Sequence, residues 1–162
     1  MFELKPRSGP PPRTTSCAPH EQIDQNSPLE IHTAFKARAF DFPFVVRRPS
    51  MISVPGAEAL CMEHNHAHGC REAFMIGTEF AHLHPAYDGS MHLMLPSVCV
   101  RELLDKGWGE PHPMVETGLI PDTAVMAFAP RNEDEIETAL TILATSYAFA
   151  SDKLENPGFV KM

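Results

Sequence analysis

The pattern of hydrophobic and polar positions predicts a β-hairpin near the middle of the chain. Residues 73–84 (AFMIGTEFAHLH) are rich in β-forming side chains, and Gly77 within them suits a bulge. The turn-forming residues 85–89 (PAYDG) follow, and residues 90–95 (SMHLML) return as a second strand. We therefore expect two antiparallel strands joined by a five-residue loop.

A helix and a third strand are predicted after the hairpin. Pro96 stops the second strand, and Ser97 is a favourable N-cap for a helix over 98–106. Gly107 suits the left-handed conformation that ends such a helix. Residues 121–128 then contain the β-forming run TAVMAF, which predicts the third strand.

A longer helix is predicted to follow. Asn132, with Glu135 three residues later, resembles a capping box that opens this helix. Its apolar face is a stripe at helical spacing formed by Ile136, Leu140, Leu143 and Tyr147. The order strand, strand, helix, strand, helix predicts an α+β fold, in which a small antiparallel sheet is covered on one face by helices.

The first half of the chain is less regular. Helical spacing predicts a short helix over 29–38, and residues 40–46 (FDFPFVV) are expected to be extended. Pro43 would restrict them to the edge of a sheet, because proline donates no ladder hydrogen bond. Residues 47–62 are interrupted by Pro and Gly and are expected to form a loop with one short strand over 51–54.

Composition separates a leading segment from a folded body. Six of the 16 prolines lie in the first 30 residues, among Ser, Thr and Gln. Such a segment buries little apolar surface, so residues 1–28 are expected to form a flexible, proline-rich tail. The remaining residues, 29–162, are expected to form a single domain, because 162 residues with 43% hydrophobic content support one core.

Charge and cysteine usage exclude several classes of protein. A net charge of −8 disfavours binding to nucleic acid. No stretch of about 18 apolar residues is present, so no membrane span is predicted. The four cysteines form no CxxC pair, which favours a reducing, cytoplasmic location over a disulfide framework. The oligomeric state stays open.

Histidine is the unusual component of this sequence, and three of the nine lie on the predicted hairpin. His82 and His84 are two residues apart in a strand, so their side chains leave the same face. With a five-residue loop, His92 lies opposite His82 and the three imidazoles meet. A two-residue turn at Asp88–Gly89 would instead move His92 to the other face.

Three adjacent imidazoles repel one another when protonated, so the cluster is expected to keep a neutral base near neutral pH. Neutral imidazole also binds metals, and His82, His84 and His92 would suit iron, copper or zinc as an alternative. Asp88 could orient a histidine, although its first role is in the turn. Glu79 lies at odd spacing and faces away from His82 unless Gly77 bulges the strand.

Three further features have both a structural and a functional interpretation. His64, His66 and His68 (HNHAH) could form a second site or an exposed loop. Trp108, between two glycines, could be an aromatic wall for a ligand. Arg131 could hold an anionic substrate or pair with acidic residues of its own helix.

Several of these motifs together resemble the fungal luciferase family. The resemblance covers residues 70–151 and rests on EFAHLH at 79–84, Asp88, Ser90, His92, Leu93, KGWG at 106–109, His112–Pro113 and APRNE at 129–133. It implies oxygen chemistry, because the family adds dioxygen to 3-hydroxyhispidin, a hydroxy-pyrone, and then releases carbon dioxide. Neither a metal nor a flavin is implied. His20 and His32 lie outside the resemblance and are expected to have no role in a site.

The resemblance implies a small enolisable aromatic or polyketide-type substrate, with molecular oxygen as co-substrate and no other cofactor. The protein must supply a base, a cradle for the enolate and a dry cavity. The catalytic candidates are His82 or His92 as base, with His84 and Asp88 as orienting partners. The candidates for substrate binding are Trp108, Tyr87, His112, Arg131 and Glu79. Two alternatives remain: a histidine-ligated metalloprotein, and a ligand-binding domain without catalysis.

Overall fold

A six-stranded antiparallel sheet organises the protein. The structure is a computed structural model that describes residues 2–156 and 159–160, with side chains described through residue 154. The strands are β1 (Val45–Pro49), β2 (Glu58–Met62), β3 (Glu79–Leu83), β4 (Met91–Met94), β5 (Gly109–Pro111) and β6 (Ala124–Ala127), in the spatial order β1-β2-β3-β4-β6-β5. The helices are α1 (Leu29–Ala39), α2 (Ser97–Asp105) and α3 (Glu133–Ala150). Strands β7 (Leu154–Asn156) and β8 (Phe159–Val160) form a separate small ladder. The predicted α+β class is confirmed.

The two faces of the sheet have different surroundings. Helix α3 packs across β3 and β4, and α1 packs against α3. Ala81 and Leu83 of β3 belong with Leu93 of β4 to the hydrophobic core, which α3 completes. Because side chains alternate along a strand, the intervening His82 and His92 face away from the helices. Both faces of these central strands are buried.

Local signals placed several elements correctly. Helix α1 lies where the spacing predicted it, and the hairpin has the five-residue register, with His82 opposite His92. Gly107 ends α2 with φ of 79°. The side chain of Asn132 accepts a hydrogen bond from the backbone N–H of Glu135 at 2.9 Å, as the predicted cap requires. These features depend on residues close in sequence.

Other boundaries are corrected by the structure. No strand forms over 51–54, whereas β2 lies within the predicted loop because β1 and β3 supply hydrogen bonds to both its edges. Strand β1 is an edge strand but starts only at Val45. Strand β3 is shorter than predicted, and β5 was not predicted at all. Ser97 is the first helical residue rather than the N-cap, which is Pro96.

The proline-rich segment is placed against the domain rather than extending from it as a tail. Phe2 and Leu4 are buried in the hydrophobic core. The backbone N–H of Arg7 donates to the carbonyl oxygen of Lys106 at 2.9 Å. An isolated bridge pairs Thr14 with Gln22. The composition was misleading because a few anchoring side chains hold a segment that has little apolar surface on average.

Two further predictions concern the chain as a whole. The predicted domain 29–162 includes residues 157–158 and 161–162, which lie outside the described residues. Among the helices that the structure describes, none has both the length and the apolar character needed to cross a bilayer.

Candidate functional site

The hairpin of β3 and β4 brings three imidazoles together. The ring centroids of His82 and His92 are 5.0 Å apart, those of His84 and His92 4.8 Å, and those of His82 and His84 5.5 Å. All three side chains are buried. The five-residue loop therefore produces the predicted convergence, since it sets the register that places His82 opposite His92.

The histidines form the polar part of a cavity of about 970 Å³. Two more histidines, His20 and His112, border the same cavity. The rest of its lining is mainly apolar and includes Ile52, Val54, Phe74, Met75, Ile76, Met94, Met114, Ile120 and Val125. Such a cavity suits a small, largely apolar ligand with a few polar atoms directed at the imidazoles.

Asp88 fixes the orientation of His84. Its Oδ2 lies 2.9 Å from His84 Nδ1, and its Oδ1 accepts hydrogen bonds from the backbone N–H and hydroxyl of Ser90. Burial opposes the charge on Asp88, but the hydrogen bonds from His84 and Ser90 outweigh it and lower the pKa of this carboxyl. Because the carboxylate is an acceptor, His84 carries its proton on Nδ1 and presents a bare Nε2.

Glu79 holds His82 in the same way. Its Oε2 lies 3.3 Å from His82 Nδ1, and both side chains are buried. The bridge between Ile76 and Glu79 flanks Gly77, which has φ of 55°. The ladder of β2 and β3 shifts register where Leu60 pairs with Ala81 but Cys61 pairs with Glu79, and this irregularity, rather than a bulge at Gly77, turns Glu79 to the face of His82. Glu79 is therefore a partner of His82.

Besides Glu110, the sequence reasoning missed one site residue, His20. Its Nδ1 lies 2.9 Å from His92 Nε2, and its Nε2 lies 2.6 Å from Oε1 of Glu110 on β5. Burial opposes the charge on Glu110, but hydrogen bonds from His20 and Thr14 outweigh it and lower the pKa of this carboxyl. No local signal identifies His20, because it lies 72 residues from His92 in a segment of apparently disordered composition.

His112 lies beside the cluster, and its proton is on a different ring nitrogen from that of His84. Its ring centroid is 4.8 Å from that of His92 and 5.3 Å from that of His20. Its Nδ1 accepts a hydrogen bond from the backbone N–H of Met114 at 3.1 Å. The neutral ring therefore carries its proton on Nε2, and His112 can donate a hydrogen bond but offers no free lone pair at that atom.

The surroundings favour the neutral form of His82, His92 and His112. Burial lowers the pKa of His82 and, together with the neighbouring imidazoles, lowers the pKa of His92 well below its ordinary value. Burial and the same neighbours lower the pKa of His112 to about 4. The imidazoles of His82, His92 and His112 therefore favour the neutral form near neutral pH, chiefly because they are buried.

A row of hydrogen-bonding groups runs through the cluster between two carboxyl groups. A row of four close contacts joins Glu110, His20, His92, His82 and Glu79, with His82 Nε2 and His92 Nδ1 3.0 Å apart. Four such contacts need four protons, and each imidazole of the row supplies one proton when neutral and two when protonated. When His82 donates to Glu79 and a neutral His92 donates to His20, His82 Nε2 and His92 Nδ1 face each other without a proton and can accept one.

Two sets of three histidines have ligand atoms within 4.8 Å of one another. One set is His82, His84 and His92, and the other is His20, His92 and His112. The first set is the better donor set for a metal, because the outer nitrogens of all three rings are held by Glu79, Asp88 and His20. The second set contains His112, whose ring presents a proton instead of a lone pair.

Other candidates from the sequence lie away from the cavity. Trp108 is buried in the core, and its Nε1–H donates to the carbonyl oxygen of Lys5 at 2.6 Å. It therefore holds the N-terminal segment instead of forming a ligand wall. Tyr87 is 60% exposed. It therefore lies at the surface and does not form a wall of the cavity.

For Arg131 and for the HNHAH motif of residues 64–68, the contacts support the structural interpretation over the functional one. The guanidinium of Arg131 pairs with Glu135 in the first turn of α3, and Nη2 donates to the carbonyl oxygen of Ser8. The HNH residues of the motif form a short 3-10 turn without a buried side chain. His66 stacks on Phe44, with ring centroids 3.6 Å apart. None of these side chains reaches the cavity histidines, because local partners hold them elsewhere.

Comparison with known proteins finds similarity in the central part of the chain. Residues 77–146 match the family model described as a luciferase domain. Luciferases from Armillaria gallica and Neonothopanus nambi are 33% and 34% identical to this chain over 76 residues. The aligned stretch covers 46% of this chain but only 29% and 28% of those relatives, so the chain spans less than a third of their length. No solved structure shows significant similarity to the chain.

The fold and the site define a small α+β domain with a buried histidine cluster at the base of an apolar cavity. The matched residues contain the hairpin, four of the five cavity histidines and Glu110. The similarity to the luciferase domain is limited to residues 77–146. His20 lies outside the matched residues, on the N-terminal segment.

Proposed function

We propose that this protein is a luciferase-like enzyme that uses molecular oxygen to oxidise an enolisable aromatic or polyketide-type small molecule. The observation that carries the proposal is the contact between His82 Nε2 and His92 Nδ1, 3.0 Å apart and beside the cavity, where two ring nitrogens can share one accepted proton. A proton accepted there completes the fourth hydrogen bond of the row. The pair is therefore a general base, with its proton site already shaped.

The chemistry follows from the strength of that base. Because the pKa values of His82 and His92 are lowered, the pair can take a proton only from an acidic group such as the hydroxyl of a hydroxy-pyrone. Loss of this proton leaves an enolate, whose electron-rich carbon combines with dioxygen. The carbon is oxidised and dioxygen is reduced to the peroxide level, so the balance needs no other oxidant. The proton held by the pair is available to the peroxide oxygen.

The cavity supports this substrate class. Its apolar lining includes Phe74, Met75 and Met94, which suit an aromatic ring and exclude water from the reacting atoms. The Nε2–H of His112 is the donor that would stabilise the enolate oxygen. Asp88 would act through His84, by fixing the ring that lies beside the base. No cofactor enters this proposal besides dioxygen.

Oxygen uptake tests the proposal directly. Hydroxy-pyrones such as 3-hydroxyhispidin are supplied to His82→Gln, His92→Gln and the exposed control His64→Gln. We expect kcat/KM to fall about 100-fold or more in the first two variants, with circular dichroism unchanged, because the base is lost. The His64→Gln variant should match the parent. Ligand binding without oxygen uptake by the parent protein would instead favour a binding domain without catalysis.

The convergence of three imidazoles also supports a second candidate, a metalloprotein. The inner nitrogens of His82, His84 and His92 are close enough to share one ion, and the outer nitrogens have the partners typical of metal sites. A divalent first-row transition metal bound there would take the lone pairs that otherwise accept the proton. Elemental analysis of purified protein distinguishes the two candidates. One equivalent of metal supports the metalloprotein, and only a trace of metal supports the enzyme with a histidine base.

A further inference from the structure

We propose that His20 and Glu110 form a proton path that connects the buried His82–His92 pair with solvent. The path runs from the pair to His20 Nδ1 and from His20 Nε2 to the carboxylate of Glu110. Its use in turnover rests on the proposed function, whereas its existence depends only on the hydrogen-bonded row. Neither residue has a role in the resemblance that identified the other site residues.

Burial separates the His82–His92 pair from bulk water, so a proton that the peroxide does not take back needs a path of this kind. His82 and His92 are only 3% and 5% exposed, so a proton accepted between them cannot pass directly to bulk water. The side chain of His20 is 1% exposed, whereas that of Glu110 is 32% exposed. Glu110 is therefore the one group of the row that is both buried against an imidazole and open to solvent.

The ring chemistry allows transfer without any side chain moving. An imidazole can accept a proton on one nitrogen and release a proton from the other. A proton taken up at His92 Nδ1 allows Nε2 to release its own proton to His20 Nδ1, 2.9 Å away. His20 Nε2 then passes its proton to Glu110 across 2.6 Å. One proton enters, one leaves, and no electron is transferred.

The surrounding contacts hold His20 in line with the path. The backbone N–H of Gln22 donates to Asp88 at 3.0 Å, and the side-chain oxygen of Gln22 accepts from the backbone N–H of Ala129 at 2.9 Å. These bonds attach the segment to the hairpin and to the end of β6. His112 is close to His20, but its Nδ1 is occupied by Met114, so it does not form an alternative route.

The variant Glu110→Gln separates proton transfer from simple positioning. Glutamine can still accept the hydrogen bond from His20 Nε2, but it cannot hold a proton. The probe is the buried ring proton between His92 and His20 in histidine-labelled protein, observed by nuclear magnetic resonance. We expect its exchange with water to slow about tenfold or more, with the remaining spectrum unchanged. The matched control is Glu116→Gln, which changes an exposed glutamate.

The outcomes are separable from the test of the proposed function. Unchanged exchange in Glu110→Gln would overturn the path, as would one equivalent of metal in place of the proton. Where a hydroxy-pyrone is turned over, we expect kcat to fall about tenfold with KM unchanged, and added imidazole to restore part of the rate. Slowed exchange in a protein that turns over no hydroxy-pyrone would support the path and count against the proposed substrate.

Discussion

Asp88 stabilises the histidine site, because its carboxylate accepts hydrogen bonds from several different groups. Its carboxylate is fully buried and accepts from His84, from Ser90 and from the backbone N–H of Gln22. A buried carboxylate is tolerated only when its oxygens are satisfied in this way. The same residue thus fixes a ring of the cluster, closes the hairpin and attaches the N-terminal segment.

Asp88→Asn is expected to destabilise the fold by about 3 kcal/mol, because an amide nitrogen would then face groups that need an acceptor. Urea unfolding followed by circular dichroism measures this loss. Asp41→Asn is the control, since Asp41 is exposed. Equal stability of the two variants would show that the network around Asp88 contributes little.

At the scale of elements, the loop after α2 holds the N-terminal segment that carries His20. Trp108 donates to the carbonyl of Lys5, and the backbone N–H of Leu4 donates to Glu102 of α2 at 2.9 Å. Leu4 itself is buried in the core. The segment is therefore part of the packing of the domain, and it completes the site with a residue that the hairpin does not supply.

Leu4→Ala is expected to lower the free energy of unfolding by about 3 kcal/mol, because a buried side chain is replaced by a cavity. Trp108 is the sole tryptophan and lies beneath this segment, so its fluorescence reports the change during urea unfolding. Leu119→Ala, at a residue that is 72% exposed, should change the stability by less than about 0.5 kcal/mol. A variant Leu4→Ala as stable as this control would mean that the segment is not anchored through the core.

At the scale of the whole molecule, the buried histidines and carboxylates all make the folded state less stable as the pH falls. The pKa values of His82, His92 and His112 are lowered in the folded state, chiefly by burial. The unfolded chain therefore binds more protons than the folded protein once the pH falls below the ordinary histidine value of 6.5. The lowered carboxyl pKa values of Asp88 and Glu110 add a loss of stability at still lower pH.

We expect the melting temperature to be steady above pH 7 and to fall as the pH is lowered from 6.5 towards about 4, the pKa of His112. Thermal unfolding across this range provides the measurement. The fall should be shallower in His112→Gln, because one histidine that resists protonation has been removed. A melting temperature that stays constant over this range would contradict the buried, neutral state of the cluster.

Features set by neighbouring residues could be predicted from sequence. The alternation of side chains and the turn composition placed the hairpin, and the five-residue loop placed His82 opposite His92. The cap at Asn132 and the left-handed Gly107 are likewise local. Motif spacing also led to the family that the comparisons support.

Contacts between distant segments could be found only in the folded structure. His20 reaches His92 across 72 residues, and Glu110 reaches His20 across 90. Trp108, between two glycines, suits a ligand wall when only the sequence is considered. In the fold it instead holds the N-terminal segment, because its Nε1–H donates to the carbonyl oxygen of Lys5. Strand pairing and burial depend on which segments meet, and such long-range free energies leave no local pattern. The cluster of His82, His84 and His92 could therefore be predicted from the sequence of the hairpin. The row of hydrogen bonds that joins this cluster to His20 and Glu110 required the whole fold.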